Sequence, residues 1–255
     1  MSWLGLLLVG VALADVGFSL TRASGWSALR RARTAEAGAA VAVLLLGVLA
    51  GLDEPRHLLG LVVIGLGVVA WGESVTYGFG ARRYAVPLGV LGLLVVAGLV
   101  ASGPAPAAHG LLEKWLEATD LAPLDGLDPD RALLVTGVLL VQLSTGNVLV
   151  RLVLGVTGTT NPLRDTVAAS PAPSLKGGRI LGPLERVFIV VLWLAGEATA
   201  ASIVVAAKAL LRFPELQAAR ADGSRPGLHE VTEYFLVGSF VSWTVSLGSL
   251  ALLGA

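Results

Sequence analysis

Long apolar stretches alternate with short polar ones along the whole chain. A membrane-crossing helix needs about 20 mostly apolar residues. On that rule the pattern predicts seven spans: Trp3–Leu20, Glu36–Leu52, His57–Phe79, Tyr84–Ala101, Arg131–Gly155, Leu184–Leu211 and Val231–Leu253. The segments between them, such as "GLDEPR", "SGPAPAAHG", "PAPSLKGG" and "ADGSRPG", carry turn and helix-breaking residues. Between the fourth and fifth spans, "HGLLEKWLEAT" sets Leu111, Leu112, Trp115 and Leu116 on one face, with Glu113, Lys114 and Glu117 away from it. This predicts a short helix lying on the membrane surface. Neither the strict alternation of strands nor the polar-inward pattern of a barrel is present.

The expected fold is therefore all-α, a polytopic helical membrane protein with about seven transmembrane helices and one interfacial helix. It divides into an N-terminal four-helix region (1–102), an extracytoplasmic loop with the interfacial helix (103–130) and a C-terminal three-helix region (131–255). The start, "MSWLGLLLVGVALADVG", shares an apolar run and Ala12-Leu13-Ala14 with signal peptides but has no basic leader, and is read as the first span.

Composition agrees with this pattern. Of the 255 residues 55% are hydrophobic and 14% charged, where soluble domains carry roughly 25% charged, and the mean hydropathy is +0.80. Eighteen basic and eighteen acidic side chains cancel, and the basic ones are scattered, so nucleic acid is not an expected partner. With no cysteine and only His57, His109 and His229, far apart, neither a thiolate or histidine metal site nor another cofactor is expected. The lipid bilayer is the expected partner, with a homo-oligomer or a partner subunit as further candidates. Heavy use of Arg, Ala, Gly, Val and Leu suggests a GC-rich bacterium, and hence the bacterial cytoplasmic (inner) membrane.

Loop charge sets the expected orientation. Arg22, Arg30, Arg31 and Arg33 lie in the first loop, Arg82 and Arg83 in the third, and Arg164, Lys176 and Arg179 in the fifth. Those loops belong in the cytoplasm, the N-terminus outside and the C-terminus inside. The sixth loop objects, because it should be outside yet carries Arg212, Arg220 and Arg225. Either Glu215, Asp222 and Glu230 offset it, or the sixth segment does not cross as one plain helix.

Polar residues inside the spans are the candidate chemistry. On a continuous helix Arg186, Glu197 and Lys208, eleven residues apart, share a face, and the outer two stand about 33 Å apart. Arg186 and Lys208 would then be anchors that snorkel to the two interfaces. Glu197 would sit at mid-bilayer, where an ionised side chain costs on the order of 2.5–3.5 kcal/mol. Partners for it are sought on the fifth span, in Gln142, Ser144, Thr145, Asn147 and Arg151, the last two related as i, i+4. Asp15 and Glu73 are further intramembrane acids, and Glu185 adjoins Arg186. A vestibule open to the cytoplasm, with Glu197 at its floor, would supply each charge with a partner or water. The alternative is that these groups merely join helices, at about 0.6 kcal/mol per contact.

The motifs "GRILGPLER" (178–186), "AAKALLRFPEL" (206–216) and "EYFLVGSFVS" (233–242) support one resemblance. Through them residues 131–255 resemble an uncharacterised bacterial membrane family, the domain of unknown function numbered three thousand three hundred and seven. The chain departs from that pattern at Pro183, Ala209 and Ser239, and its N-terminal half matches poorly. The resemblance draws attention to Gly178, Gly182, Glu185, Arg186, Lys208, Arg212, Phe213, Glu233 and Tyr234, and implies no reaction.

Three functions fit these observations. The first is a small transporter or channel-like permease for an ion or small polar solute, using an intramembrane glutamate. The second is a non-catalytic membrane subunit or assembly factor. The third is a membrane enzyme acting on a lipid or isoprenoid phosphate through Arg151, Arg179, Arg186 and Lys208, against which stands the lack of an Asp-x-x-Asp motif or a Ser/His arrangement.

Overall fold

The structure, a computed structural model, describes residues 1–21, 25–103, 105–119, 124, 126–159, 178–207, 210 and 228–254. Among these residues the regular elements are helices and there is no strand. They are α1 (Ser2–Leu20), α2 (Ala28–Leu49), α3 (Pro55–Gly80), α4 (Ala85–Ser102), α5 (Leu111–Ala118), α6 (Pro129–Leu143), α7 (Thr145–Val156), α8 (Gly178–Leu194), α9 (Ala198–Ala207) and α10 (Leu228–Gly254). Five of them are long and apolar enough to cross a membrane, and six spans result if α6 and α7 form one broken span.

The difference from the expected seven lies in two breaks. The span predicted over Leu184–Leu211 is interrupted at Ala195-Gly196. Gly196 adopts φ +82, its N–H donates to Trp193 O at 2.9 Å, and the Glu197 N–H donates to Leu192 O at 2.8 Å. That pair of bonds is a Schellman motif, which only a residue tolerant of the left-handed region closes without strain. α8 ends there, 17 residues long, or about 25 Å against a hydrocarbon thickness of about 30 Å. The fifth predicted span, Arg131–Gly155, breaks at Ser144 (φ −125, ψ −61). The Ser144-Thr145-Gly146-Asn147 run consists of residues that compete with helical hydrogen bonds or weaken them.

The chain forms two compact units, Met1–Thr145 and Gly146–Ala255. In the first, α1 is the central helix, packed by α2, α3, α4 and α6. More than half of its apolar window, 56%, is buried, against 11% for α4. α1 crosses α6 at Gly5 and Gly137, where a Cβ at either position would press on the opposite backbone. A short helix, α5, forms where the sequence predicts one, with Leu116 buried and Trp115 exposed.

Just after α3, Arg82 has φ 54 and is the only described non-glycine residue with positive φ, while the Arg83 N–H donates to Gly78 O at 2.9 Å. A side chain held in the left-handed region costs about 1–2 kcal/mol. Arg82→Gly is therefore expected to stabilise the protein by about 1 kcal/mol after the larger freedom of glycine in the unfolded chain is subtracted. A raised unfolding midpoint in detergent checks this; a lowered one would mean that the Arg82 side chain itself contributes.

In the second unit α8 packs against α10. Ser239, Ser242, Ser246 and Ser249 are buried on α10 at spacings of three and four residues, one face of a helix.

Candidate functional site

Three carboxylates of the first unit enter from three neighbouring helices, each near the same end. Asp15 is five residues from the end of α1, Glu36 eight from the start of α2, and Glu73 seven from the end of α3. At 1.5 Å per residue these are depths of roughly 8–12 Å, so all three occupy one band across α1, α2 and α3.

Asp15 accepts from the Trp71 Nε1–H, at 3.3 Å to both carboxylate oxygens, and from the Thr145 hydroxyl at 2.7 Å. Trp71 is fully buried on α3 and Thr145 is also buried. Glu36, only 4% exposed, lies on the next α3 residue, Gly72. A Cβ on Gly72 would stand 2.7 Å from the Glu36 carboxyl carbon, so this approach requires a residue without one. The buried Glu36 and the half-buried Asp15 thus rest on consecutive residues of one helix.

The third acid is the more exposed one. Glu73 is partly exposed and pairs with the exposed Arg33 of α2, whose Nη1 also lies 3.7 Å from Glu36 Oε2. One guanidinium therefore spans a surface carboxylate and a buried one. The pair with Glu73 is the closer, and the long distance to Glu36 leaves that acid only weakly engaged. Among the described residues no group of His, Cys, Asp and Glu is arranged to hold a metal ion.

The second unit holds a separate polar centre. Arg186, 1% exposed on α8, donates from Nη1 to Ser242 Oγ at 3.1 Å and from Nη2 to Asn147 Oδ1 at 2.9 Å. Gly146 makes room for it, since a Cβ there would lie 2.6 Å from Arg186 Nε. Glu185, also buried, accepts from Trp243 Nε1–H at 3.1 Å.

Several expected roles change. Arg186 is no snorkelling anchor: a guanidinium inside the helix pair cannot reach water, and it bonds Asn147 instead. Glu197 is not in mid-helix but is exposed on the turn between α8 and α9, because Gly196 ends α8 before it. It therefore forms no floor to a vestibule. Arg151 is exposed on α7, while Gln142 is buried on α6 and donates to Val138 O at 3.1 Å. Lys208 lies outside the described residues. Of the expected acids, Asp15 and Glu73 do come to one band of the first unit.

Sequence reasoning missed Glu36, Arg33 and Trp71. It began the second span at Glu36, whereas α2 begins eight residues earlier, after Ser27, whose hydroxyl accepts from the Arg30 N–H at 3.3 Å. Ser27 was a readable N-cap. The small-residue face Ala32, Ala35, Ala39, Val43 and Gly47, all buried, carries Glu36 inward.

Family models, curated proteins and solved structures yield no match to this chain. The class it belongs to is that of helical proteins built to lie in a membrane, and the site is described by its own geometry.

Proposed function

We propose that the protein is a small multi-pass permease that moves protons, alone or with a small polar solute, and that Glu36 and Asp15 are its proton-carrying groups. The observation that carries this reading is the buried Glu36, packed between α2 and α3 where Gly72 leaves it room. Ionisable groups in such positions are expensive to retain and typically mark ion pathways. Arg33 and Glu73 form the exposed rim of that band, and Glu36 and Asp15 take up and release protons within it. In this reading the rim faces the cytoplasm of a bacterial cell, as the loop charges suggest.

The test is proton flux in proteoliposomes with a pH gradient and a clamped potential. Wild type is expected to dissipate the gradient, and Glu36→Gln to slow it about tenfold or more, as loss of a proton-transfer group does. Glu197→Gln, on the exposed turn, should leave the flux intact. Equal flux in wild type and Glu36→Gln, or a wild type as tight as empty liposomes, would sink the proposal. The second reading, a non-catalytic subunit, draws on α4, whose Leu93, Val96 and Val100 are exposed. A stoichiometric partner retained on that face during purification would favour it.

A further inference from the structure

The end of the first unit where α1 finishes and α2 begins combines cations and rings in an unusual way. The Arg30 guanidinium stacks over the Trp26 ring at 4.6 Å, and that of Arg31 over the Phe18 ring at 4.6 Å. Both rings are exposed, as are the neighbouring Leu20 and Leu29. Among the described residues neither Arg30 nor Arg31 makes an ion pair, whereas Arg33, two residues on, is drawn to Glu73 and Glu36. The Nε of Arg31 is buried and has no hydrogen-bond partner.

Stacking occupies the face of a guanidinium and leaves the N–H donors on its edge available for hydrogen bonding. That edge matches a phosphate geometrically. α2 adds to the effect: its first turn holds no acid, so the positive end of the helix dipole is not neutralised by a side chain there. A soluble anion would explain the arginines but not the exposed Trp26, Phe18, Leu20 and Leu29 around them. Aromatic and aliphatic side chains next to cations at the end of membrane-spanning helices fit a ligand with a phosphate and acyl chains.

We propose that this patch binds the headgroup of an anionic phospholipid, with the phosphate received by Arg30 and Arg31 and the upper acyl chain lying on Phe18, Trp26 and Leu29. The partner is the lipid itself, a component of the leaflet at that end of the unit, and the inference stands apart from the permease reading. Arg82 and Arg83, exposed just after α3, add general positive charge to the same end of the unit, and among the described residues no ring stacks on either.

The test uses the full chain in nanodiscs that mix phosphatidylglycerol with phosphatidylcholine, counting the lipids retained by native mass spectrometry. Wild type should retain phosphatidylglycerol in preference to phosphatidylcholine. Arg30→Gln/Arg31→Gln should reduce that preference about 30-fold, and either single variant about fivefold. Arg82→Gln/Arg83→Gln should leave most of it in place. Unfolding midpoints in pure phosphatidylcholine should be the same for wild type and variants, and if the double variant does not fold, Arg30→Gln alone carries the comparison. The proposal is overturned if wild type shows no preference, if the Arg82/Arg83 pair matters as much as the Arg30/Arg31 pair, or if millimolar inorganic phosphate displaces the lipid. That last result would assign the patch to a soluble phosphate compound.

Discussion

Gly5→Ala is expected to destabilise the protein by about 2 kcal/mol, within the 1–3 kcal/mol typical of overpacking, and to do so more than Gly17→Ala in the same helix, where an added Cβ meets only Ala35, at 3.2 Å. The added Cβ would stand 2.8 Å from Leu134 N and 2.9 Å from Leu133 C. Both are backbone atoms of α6, so no side-chain rotation relieves the clash and the helices must separate. The crossing is tight from both sides, since a Cβ at Gly137 would lie 2.8 Å from Leu8 Cβ and 2.9 Å from Gly5 O. Close packing of this kind holds membrane helices together, because burial against lipid-like neighbours supplies little hydrophobic gain. Gly38→Ala provides the control. Gly38 is an exposed helical position with nothing within 4 Å of an added Cβ, so removal of its backbone freedom should stabilise by about 0.5–1 kcal/mol. Opposite shifts of the unfolding midpoint are therefore expected for the two substitutions. A Gly5→Ala protein with an unchanged midpoint would mean that α1 and α6 do not cross at this point.

The hydropathy of the chain was enough to reveal a helical protein with membrane-crossing helices and to place the ends of α1, α3 and α4 within two residues, because hydropathy and turn residues act locally. Helix breaks were less legible. Gly196 lies in a run apolar enough to cross a bilayer, and a count of apolar residues does not register one left-handed residue; the Ala-Gly-Glu step was the available signal. The same count placed Glu36 at a helix end, since the charged first turn of α2 lowered the hydropathy of its true beginning. The partnerships of the site depend on tertiary packing. That Asp15 would meet Trp71, or that Arg186 would turn inward to Asn147 and Ser242, follows from which helices adjoin and where a glycine leaves room. Neither spacing nor composition encodes that.

Arg186→Ala should be the most damaging substitution in the second unit, at about 2–4 kcal/mol. The side chain is 1% exposed, and its loss leaves Asn147 Oδ1 and Ser242 Oγ without the donors that now lie at 2.9 and 3.1 Å. Hydrogen bonds to a charged group contribute about 1.5–3 kcal/mol in water-soluble proteins, but polar contacts between membrane helices average about 0.6 kcal/mol with a maximum near 1.7. Two bonds at the upper end of the membrane range, plus the cavity left beside Gly146, give the expected total. Arg186→Lys keeps the charge but replaces a planar fork with a single ammonium, which does not reproduce both bonds in the same geometry. Its effect should fall between wild type and Arg186→Ala. The decisive measurement is a double-mutant cycle of Arg186→Ala with Asn147→Ala, read by SDS or thermal unfolding. Because each single variant removes the same contact, the double variant should be less destabilised than the sum, with a coupling of about 1 kcal/mol. Strict additivity would show that the two side chains do not interact. A lysine variant as stable as wild type would show that Arg186 contributes only charge, and that the fork to Asn147 and Ser242 is not what fixes α8 in its unit.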